Sequence, residues 1–304
     1  MEFDRTAIRV RERGANETLD LALHVIVRWW WPLWKSFLVV VVPLAVANGL
    51  LMEWVFARVE LDSLSTIELW GTVFRYGLNM ALLVILEAPL ASSLMVPRLG
   101  LLVFEPDAVR DRTRRTVPWR PLARLWSAQL LFRGVGIGVL LLVSAYMGVP
   151  DYYSPQEFVL LMLVTVVVFV RTARPYLPEV ILLEKLARSA SPGARTNLRE
   201  RMRSLHRWAV GETTLRGMLL AAIVVCLSFA GLGLTLFVSD LLFLSGVVDP
   251  ALMRWGWPLA LWVAVFFATT VRFLNYLDLR VRSEGWEIEL QLRAEAARLE
   301  QEVY

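Results

Sequence analysis

Apolar residues along this chain are gathered in long runs that alternate with polar, arginine-rich stretches. Six runs, with their flanks, are long enough to cross about 30 Å of hydrocarbon as helices. They cover residues 36–57, 76–97, 125–149, 157–176, 217–239 and 255–273. The fourth has an uninterrupted apolar core only from Phe158 to Val170, so Arg171 and Arg174 are expected to extend to the membrane interface. The pattern predicts one all-α membrane domain over residues 1–304, with six spans and with five or seven as alternatives.

Polar segments between the runs also show helical periodicity. Asn16, Glu17 and Thr18 offer a cap for an amphipathic helix that leads into the first span. Further along, apolar residues at helical spacing alternate with Arg199, Arg201, Arg203 and Arg207. A basic amphipathic helix of this kind docks on anionic lipid headgroups, or packs under the bundle with its basic face in water. The sequence pattern of the tail, residues 284–303, predicts one more cytoplasmic helix of mixed charge.

The distribution of charge gives the chain an orientation. Of its 32 Lys and Arg residues, 28 fall in segments 1–35, 97–124, 171–216 and 272–304, and three fall in the loops that alternate with them. Because Lys and Arg resist translocation, both termini are predicted to be cytoplasmic. This bias explains the pI of about 9.5 without a nucleic-acid partner. Thirty of the 32 basic residues are Arg, which favours a GC-rich bacterial genome and hence a bacterial inner membrane.

Composition agrees with this class of protein. Apolar residues make up 57% of the chain and charged residues 20%, against about 45–50% and about 25% in soluble domains. The tryptophans cluster near the predicted span ends, as in the aromatic belts of membrane proteins. These are Trp29, Trp30, Trp31 and Trp34 at one end, and Trp54, Trp70, Trp255 and Trp257 at the other.

The sequence lacks the patterns of the common catalytic and cofactor sites. It has one cysteine, Cys226, and two distant histidines, His24 and His206. No phosphate-binding loop, zinc-protease, nucleophile-elbow or dinucleotide motif is present. The carboxylates outside the spans have basic neighbours and are interpreted as a charge-mixed interfacial surface: Glu179, Glu184, Asp278 and Glu287. We therefore expect no enzyme activity, no cofactor and no metal.

One carboxylate, Glu87, stands inside the second run, beside Pro89. Arg133 in the third run lies at nearly the same depth, since each is roughly 13–16 Å along a helix from the cytoplasmic boundary. An unpaired charge inside the membrane costs roughly 2.5–3.5 kcal/mol on the insertion scale. We therefore predict a Glu87–Arg133 ion pair. The alternative is a protonatable Glu87 in a water-accessible cavity of a coupled transporter, which a kink at Pro89 would favour because that proline frees the carbonyl of Ile85.

Small residues on the same two runs predict close helix packing. Gly134 and Gly138 form a G-x-x-x-G pattern in the third run, and Ala88 and Ser92 are four residues apart in the second.

Three stretches together resemble a bacterial family. They are ETLDLALHVIVRWWWPLWKSFLVVVVPLAVANGLL at 17–51, YLPEVILLEKLARSASPGARTNLRERMRSLHR at 176–207 and RFLNYLDLRVRSEGWEIELQLRAEA at 272–296. They are similar to the six-span membrane domain found beside glycerophosphodiester phosphodiesterase domains. The catalytic domain itself is missing from this sequence, so the resemblance implies the architecture and a lipid-related accessory role, without enzymatic activity.

The sequence thus predicts a non-enzymatic multi-pass protein that acts as an accessory, assembly or lipid-interacting component of the membrane. Its expected partners are the bilayer, including anionic headgroups, and a membrane protein or a second copy of the chain. The alternative is a small-solute or ion-coupled transporter that uses Glu87.

Overall fold

The structure, a computed structural model, describes residues 11–53, 55, 66–104, 119–132, 134–147, 155–173, 176–183, 210–243 and 250–284. Every regular element in these ranges is helical. The α-helices are α1 (Ala15–Arg28), α2 (Trp30–Met52), α3 (Thr66–Ala91), α4 (Met95–Phe104), α5 (Trp119–Ser127), α6 (Val135–Met147), α7 (Pro155–Ala173), α8 (Leu177–Leu183), α9 (Val210–Phe243) and α10 (Pro250–Glu284). A π-helical turn, Ala128–Phe132, follows α5. Arg133, the arginines from Arg199 to Arg207 and the predicted tail helix beyond residue 284 lie outside the described residues.

Four described helices are long and apolar enough to cross a membrane: α2, α3 from Trp70, α9 to Val238 and α10 between Leu252 and Ser283. A fifth crossing results if α5 and α6, whose axes are bent by 44°, count as one span. The described residues therefore form a helical protein with four or five candidate spans. Helix α7 corresponds to the remaining predicted run and has 19 residues, but it is not among these four.

Helix α3 is the centre of the bundle. It packs against α2, α6, α7 and α10. Its inward residues include Tyr76, Met80, Leu83 and Leu86, each at most 1% exposed. Apolar residues on three sides of α3 are buried because each side meets a different helix, whereas a surface helix buries a single stripe.

Helix α9 has the opposite environment and packs chiefly on α10. Glycines bring these two helices together. A Cβ at Gly231 would come within 2.4 Å of Ala260 Cβ, and one at Gly256 would come within 2.4 Å of Thr235 Cγ2. Only 6% of the apolar window of α9 is buried, against 67% for α10. Such exposure of an apolar helix fits a lipid environment.

Ion pairs lie at both ends of the bundle. We call the end that contains Arg13, Arg216 and Asp278 the terminal face, because the described chain begins and ends there. The other end, which contains the Glu53–Arg254 and Arg75–Glu157 pairs, is the opposite face.

Two of the tryptophans assigned to the aromatic belts pack inside the protein instead. Trp34 stacks on Phe266, with ring centroids 4.5 Å apart, and Trp257 is 8% exposed and donates a hydrogen bond to the carbonyl of Gly77. The belt interpretation is wrong for these two residues. Trp31, Trp70 and Trp255 are at least half exposed, as belt residues should be.

Candidate functional site

Glu87 is buried in the bundle between α3 and α2. Its side chain is 3% exposed, and Oε2 accepts a hydrogen bond of 2.7 Å from the Asn48 side-chain amide. The predicted partner, Arg133, lies outside the described residues, so the ion pair stays a prediction. Asn48 is the contact that sequence reasoning missed. Asn48 is the polar residue in the otherwise apolar second half of α2, and this isolation was the sequence signal that could have identified it.

The backbone of α3 next to Pro89, where a kink was predicted, is bonded by a polar side chain. Proline has no N–H for the carbonyl of Ile85, and Arg171 donates to that carbonyl and to the carbonyl of Leu86, the latter at 2.7 Å. Arg171 was expected to extend to the interface, which is wrong: its guanidinium turns inward onto α3. The physical reason is the freed carbonyl, since an unsatisfied backbone group is costly inside a membrane.

The four predicted packing residues lie in different settings. A Cβ at Gly138 would come within 2.6 Å of Leu86 and 3.4 Å of Leu160, so this glycine lies in a close contact with α3 and α7. Gly134 lies against Leu163 of α7 and also has a φ of 80°, a left-handed conformation suited to glycine. Ala88 is in α3, one turn before its end. Ser92 follows the end of α3, where its hydroxyl donates to the carbonyl of Pro89.

Two carboxylates interpreted as interfacial are buried. Glu179 is 0% exposed and Asp278 is 4% exposed. The interfacial interpretation is wrong for both because each has an arginine partner on a neighbouring helix: Glu179 bonds Arg272 at 2.6 Å, and Asp278 bonds Arg216 at 2.8 Å. Glu184 and Glu287 lie outside the described residues.

A buried polar network on the terminal face joins the start of the described chain to α9 and α10. Asp278 accepts the backbone N–H of Arg13, and the carbonyl of Arg13 accepts bonds from Arg216 and Arg282. Arg216 and Arg282 also share Glu212. Burial lowers the pKa of the Arg13 guanidinium, with Arg11 adding to the effect. Because nearly all of these groups pair with one another, the network holds α9, α10 and the start of the described chain together.

An apolar groove lies between α3, α9 and α10. Its volume is about 380 Å³, within the range of about 300–1,000 Å³ for small-molecule pockets. Its inner wall includes Val73, Val84, Met253, Trp257 and Leu261, all buried. Its rim residues are Trp70, Phe74, Ile85, Val225 and Phe229, which are between 39% and 63% exposed. The groove is therefore open at the side of the bundle, between candidate spans.

The lining of the groove offers hydrocarbon contacts and almost no hydrogen bonds. Ser228 supplies the one hydroxyl among the lining residues, and that hydroxyl already donates to the carbonyl of Val224. Trp257 uses its indole N–H on Gly77. An apolar ligand would consequently enter without desolvating a polar wall. Glu87 is not part of this lining, since it extends from α3 towards α2.

Comparisons with protein-family models, curated proteins and solved structures find no match for this chain.

Proposed function

We propose that this chain is a multi-pass membrane protein without catalytic function that binds a lipid acyl chain in the groove between α3, α9 and α10. The observation that carries the proposal is an apolar groove that opens sideways between candidate spans. In a bilayer, the molecules beside such an opening are lipids, and a polar solute would gain nothing from its walls.

The position of the groove suggests which part of the lipid it holds. Its α10 residues lie in the half of that helix next to the opposite face, where Tyr76 bonds the carbonyl of Arg254, and its α3 residues run from Trp70 near that face to Ile85. Trp70, half exposed at the rim, suits the border between hydrocarbon and headgroups. We infer that the acyl chain enters from the leaflet at the opposite face, with its headgroup beside Trp70.

The proposed setting is a bacterial inner membrane with both termini cytoplasmic. Helix α7, about 28 Å long at 1.5 Å per residue, would add the sixth span. The resemblance to phosphodiesterase-associated membrane domains is consistent with a lipid-related role. Anionic-lipid docking by the basic segment, Arg199 to Arg207, is part of this proposal.

The lipid proposal is tested by native mass spectrometry of the purified protein after mild delipidation. Wild type should retain one phospholipid. Val225→Trp, which fills the groove from its rim, should lose it. Leu234→Trp is the matched control, because Leu234 is 63% exposed on α9 and lies outside the groove lining. Equal lipid retention by all three proteins would refute the proposal.

The transporter alternative is less well supported by the environment of Glu87. That carboxylate bonds Asn48 and is buried, which favours a structural role. Flux in reconstituted vesicles that is abolished by Glu87→Gln would restore the alternative.

A further inference from the structure

The junction between α1 and α2 has a side that the described helices leave exposed. Helix α2 begins two residues after α1 ends. The N–H groups of Trp29 and Leu33 each bond the carbonyl four residues earlier, so the chain stays close to helical across the junction. Arg28, Trp31 and Lys35 are three and four residues apart and therefore lie along one side. All three are exposed, Trp31 by 70%. We call these three residues the α1–α2 patch.

The α1–α2 patch lies at the terminal-face end of a candidate span. The span in α2 starts at Trp30, and its other end is at the opposite face, where Glu53 pairs with Arg254. Trp31 and Lys35 therefore lie in the first two turns of the span. The same side of α2 continues as an apolar stripe of residues that are each at least 40% exposed: Leu38, Val42, Val46 and Leu50. A cationic end beside an apolar stripe suits a phospholipid, whose headgroup carries the charge and whose acyl chains are apolar.

Neither cation of the α1–α2 patch has a carboxylate partner in the described part of the chain. Arg28 lies over the ring of Trp29, 5.3 Å from its centroid, and makes no ion pair there. The nearest carboxylate earlier in the chain, Asp20, is about 12 Å from Arg28 along α1. By contrast, Arg11 at the start of the described chain pairs with Glu17 at 3.0 Å. The patch therefore presents two uncompensated positive charges, which complement an anion.

We propose that the α1–α2 patch binds the headgroup of an anionic phospholipid in the leaflet at the terminal face, with an acyl chain along the apolar stripe of α2. Arg28 and Lys35 would donate to the phosphate, and Trp31 lies at the depth where indole rings border hydrocarbon and headgroups. A zwitterionic headgroup is disfavoured because both side chains would repel its cation. The inference rests on the multi-pass part of the proposed function and is independent of the groove, whose lining contains no residue of α2.

A second copy of the chain is the competing occupant of this exposed side. In a two-fold symmetric dimer, the same surface lies on both sides of the contact. Arg28 and Lys35 would then face identical cations, and like charges repel each other. The charge of the α1–α2 patch therefore favours a lipid over a second copy.

The test is native mass spectrometry of the full chain, delipidated in detergent and titrated with phosphatidylglycerol or with phosphatidylcholine of identical acyl chains. Arg28→Gln and Lys35→Gln should each weaken phosphatidylglycerol binding about fivefold and together about thirtyfold, equivalent to about 1 kcal/mol per cation. Phosphatidylcholine binding should stay unchanged. The matched control is Arg11→Gln, which removes one exposed charge that Glu17 already compensates and should leave binding of both lipids unchanged.

The groove variant Val225→Trp separates this inference from the groove proposal. It should lower the binding of both lipids, whereas the patch variants should lower that of phosphatidylglycerol alone. Unchanged phosphatidylglycerol binding in the Arg28→Gln/Lys35→Gln double variant would overturn the inference, as would an equal loss of both lipids. A wild-type dimer that becomes monomeric in the double variant, seen in the same spectra, would also overturn it, in favour of a contact between two copies.

Discussion

At the scale of single residues, the bundle interior is held by polar contacts between helices. The Asn48–Glu87 hydrogen bond joins α2 to α3, and it lies inside the membrane-spanning part of both. Replacing Asn48 by Leu should lower the free energy of unfolding by about 1–3 kcal/mol, because a buried carboxylate loses its donor. Unfolding in SDS, followed by circular dichroism, measures this loss.

Double-mutant cycles distinguish Asn48 from Arg133 as the partner of Glu87. One cycle combines Glu87→Gln with Asn48→Leu, and the other combines it with Arg133→Leu. The Glu87–Asn48 cycle should give a coupling energy of order 0.5–3 kcal/mol, as expected for residues in contact. Coupling to Arg133 alone would show that the ion pair predicted from the sequence is the dominant contact.

Arg171 provides a second test at this scale. Arg171→Met removes the donor to the carbonyls of Ile85 and Leu86 and should cost about 1–3 kcal/mol. In a Pro89→Ala background, residue 89 regains an N–H that can bond Ile85, so the cost of Arg171→Met should fall. The same unfolding measurement checks both changes, and Arg120→Met, on exposed Arg120, is the control. An undiminished cost in the Pro89→Ala background would contradict the role assigned to Arg171.

At the scale of elements, the α9–α10 contact depends on position-specific glycines. Gly231→Ala should destabilise the protein by about 1–3 kcal/mol, since its Cβ would overlap Ala260. Gly233→Ala on the same helix has nothing within 4 Å and should be neutral or stabilising by up to about 1 kcal/mol. The thermal unfolding temperature in detergent should therefore fall for Gly231→Ala and stay unchanged or rise for Gly233→Ala. Equal shifts would refute the close contact.

The sequence predicted where helices occur better than where they break. Long apolar runs identified α2, α3, α9 and α10, because an apolar run of this length has few stable alternatives to a spanning helix. The break after α3 at Ser92 and the π-helical turn were not predicted. Pro89 indicated a kink in α3. Arg171 donates to the carbonyl of Ile85 that Pro89 leaves without an N–H partner, and the helix continues to Ala91.

The candidate sites were predicted less completely than the helices. Glu87 was identified as an intramembrane carboxylate because it is an isolated charge in an apolar run. Its partner Asn48 lies 39 residues away, at a contact that only the packing of α2 on α3 creates. The groove was not predicted at all, because its walls are ordinary membrane-helix residues and only the separation of α9 from α3 makes them concave.

At the scale of the whole molecule, the arginine distribution predicts the orientation. Single cysteines in residues 105–120 of a Cys226→Ser background should be labelled by a membrane-impermeant maleimide only after the cells are opened. Cysteines in residues 57–64 should be labelled in intact cells. Labelling of 105–120 in intact cells would reverse the proposed topology.

The central claim, that a lipid chain occupies the groove, is tested most directly by photo-crosslinking in a membrane. A phospholipid with a diazirine on one acyl chain is incorporated into nanodiscs with the wild-type chain, irradiated, and its attachment sites are mapped by mass spectrometry. The account predicts attachment concentrated on groove residues such as Ala81, Ser228 and Leu232. Attachment spread evenly over exposed residues such as Leu215, Leu234 and Leu259, with none in the groove, would contradict it.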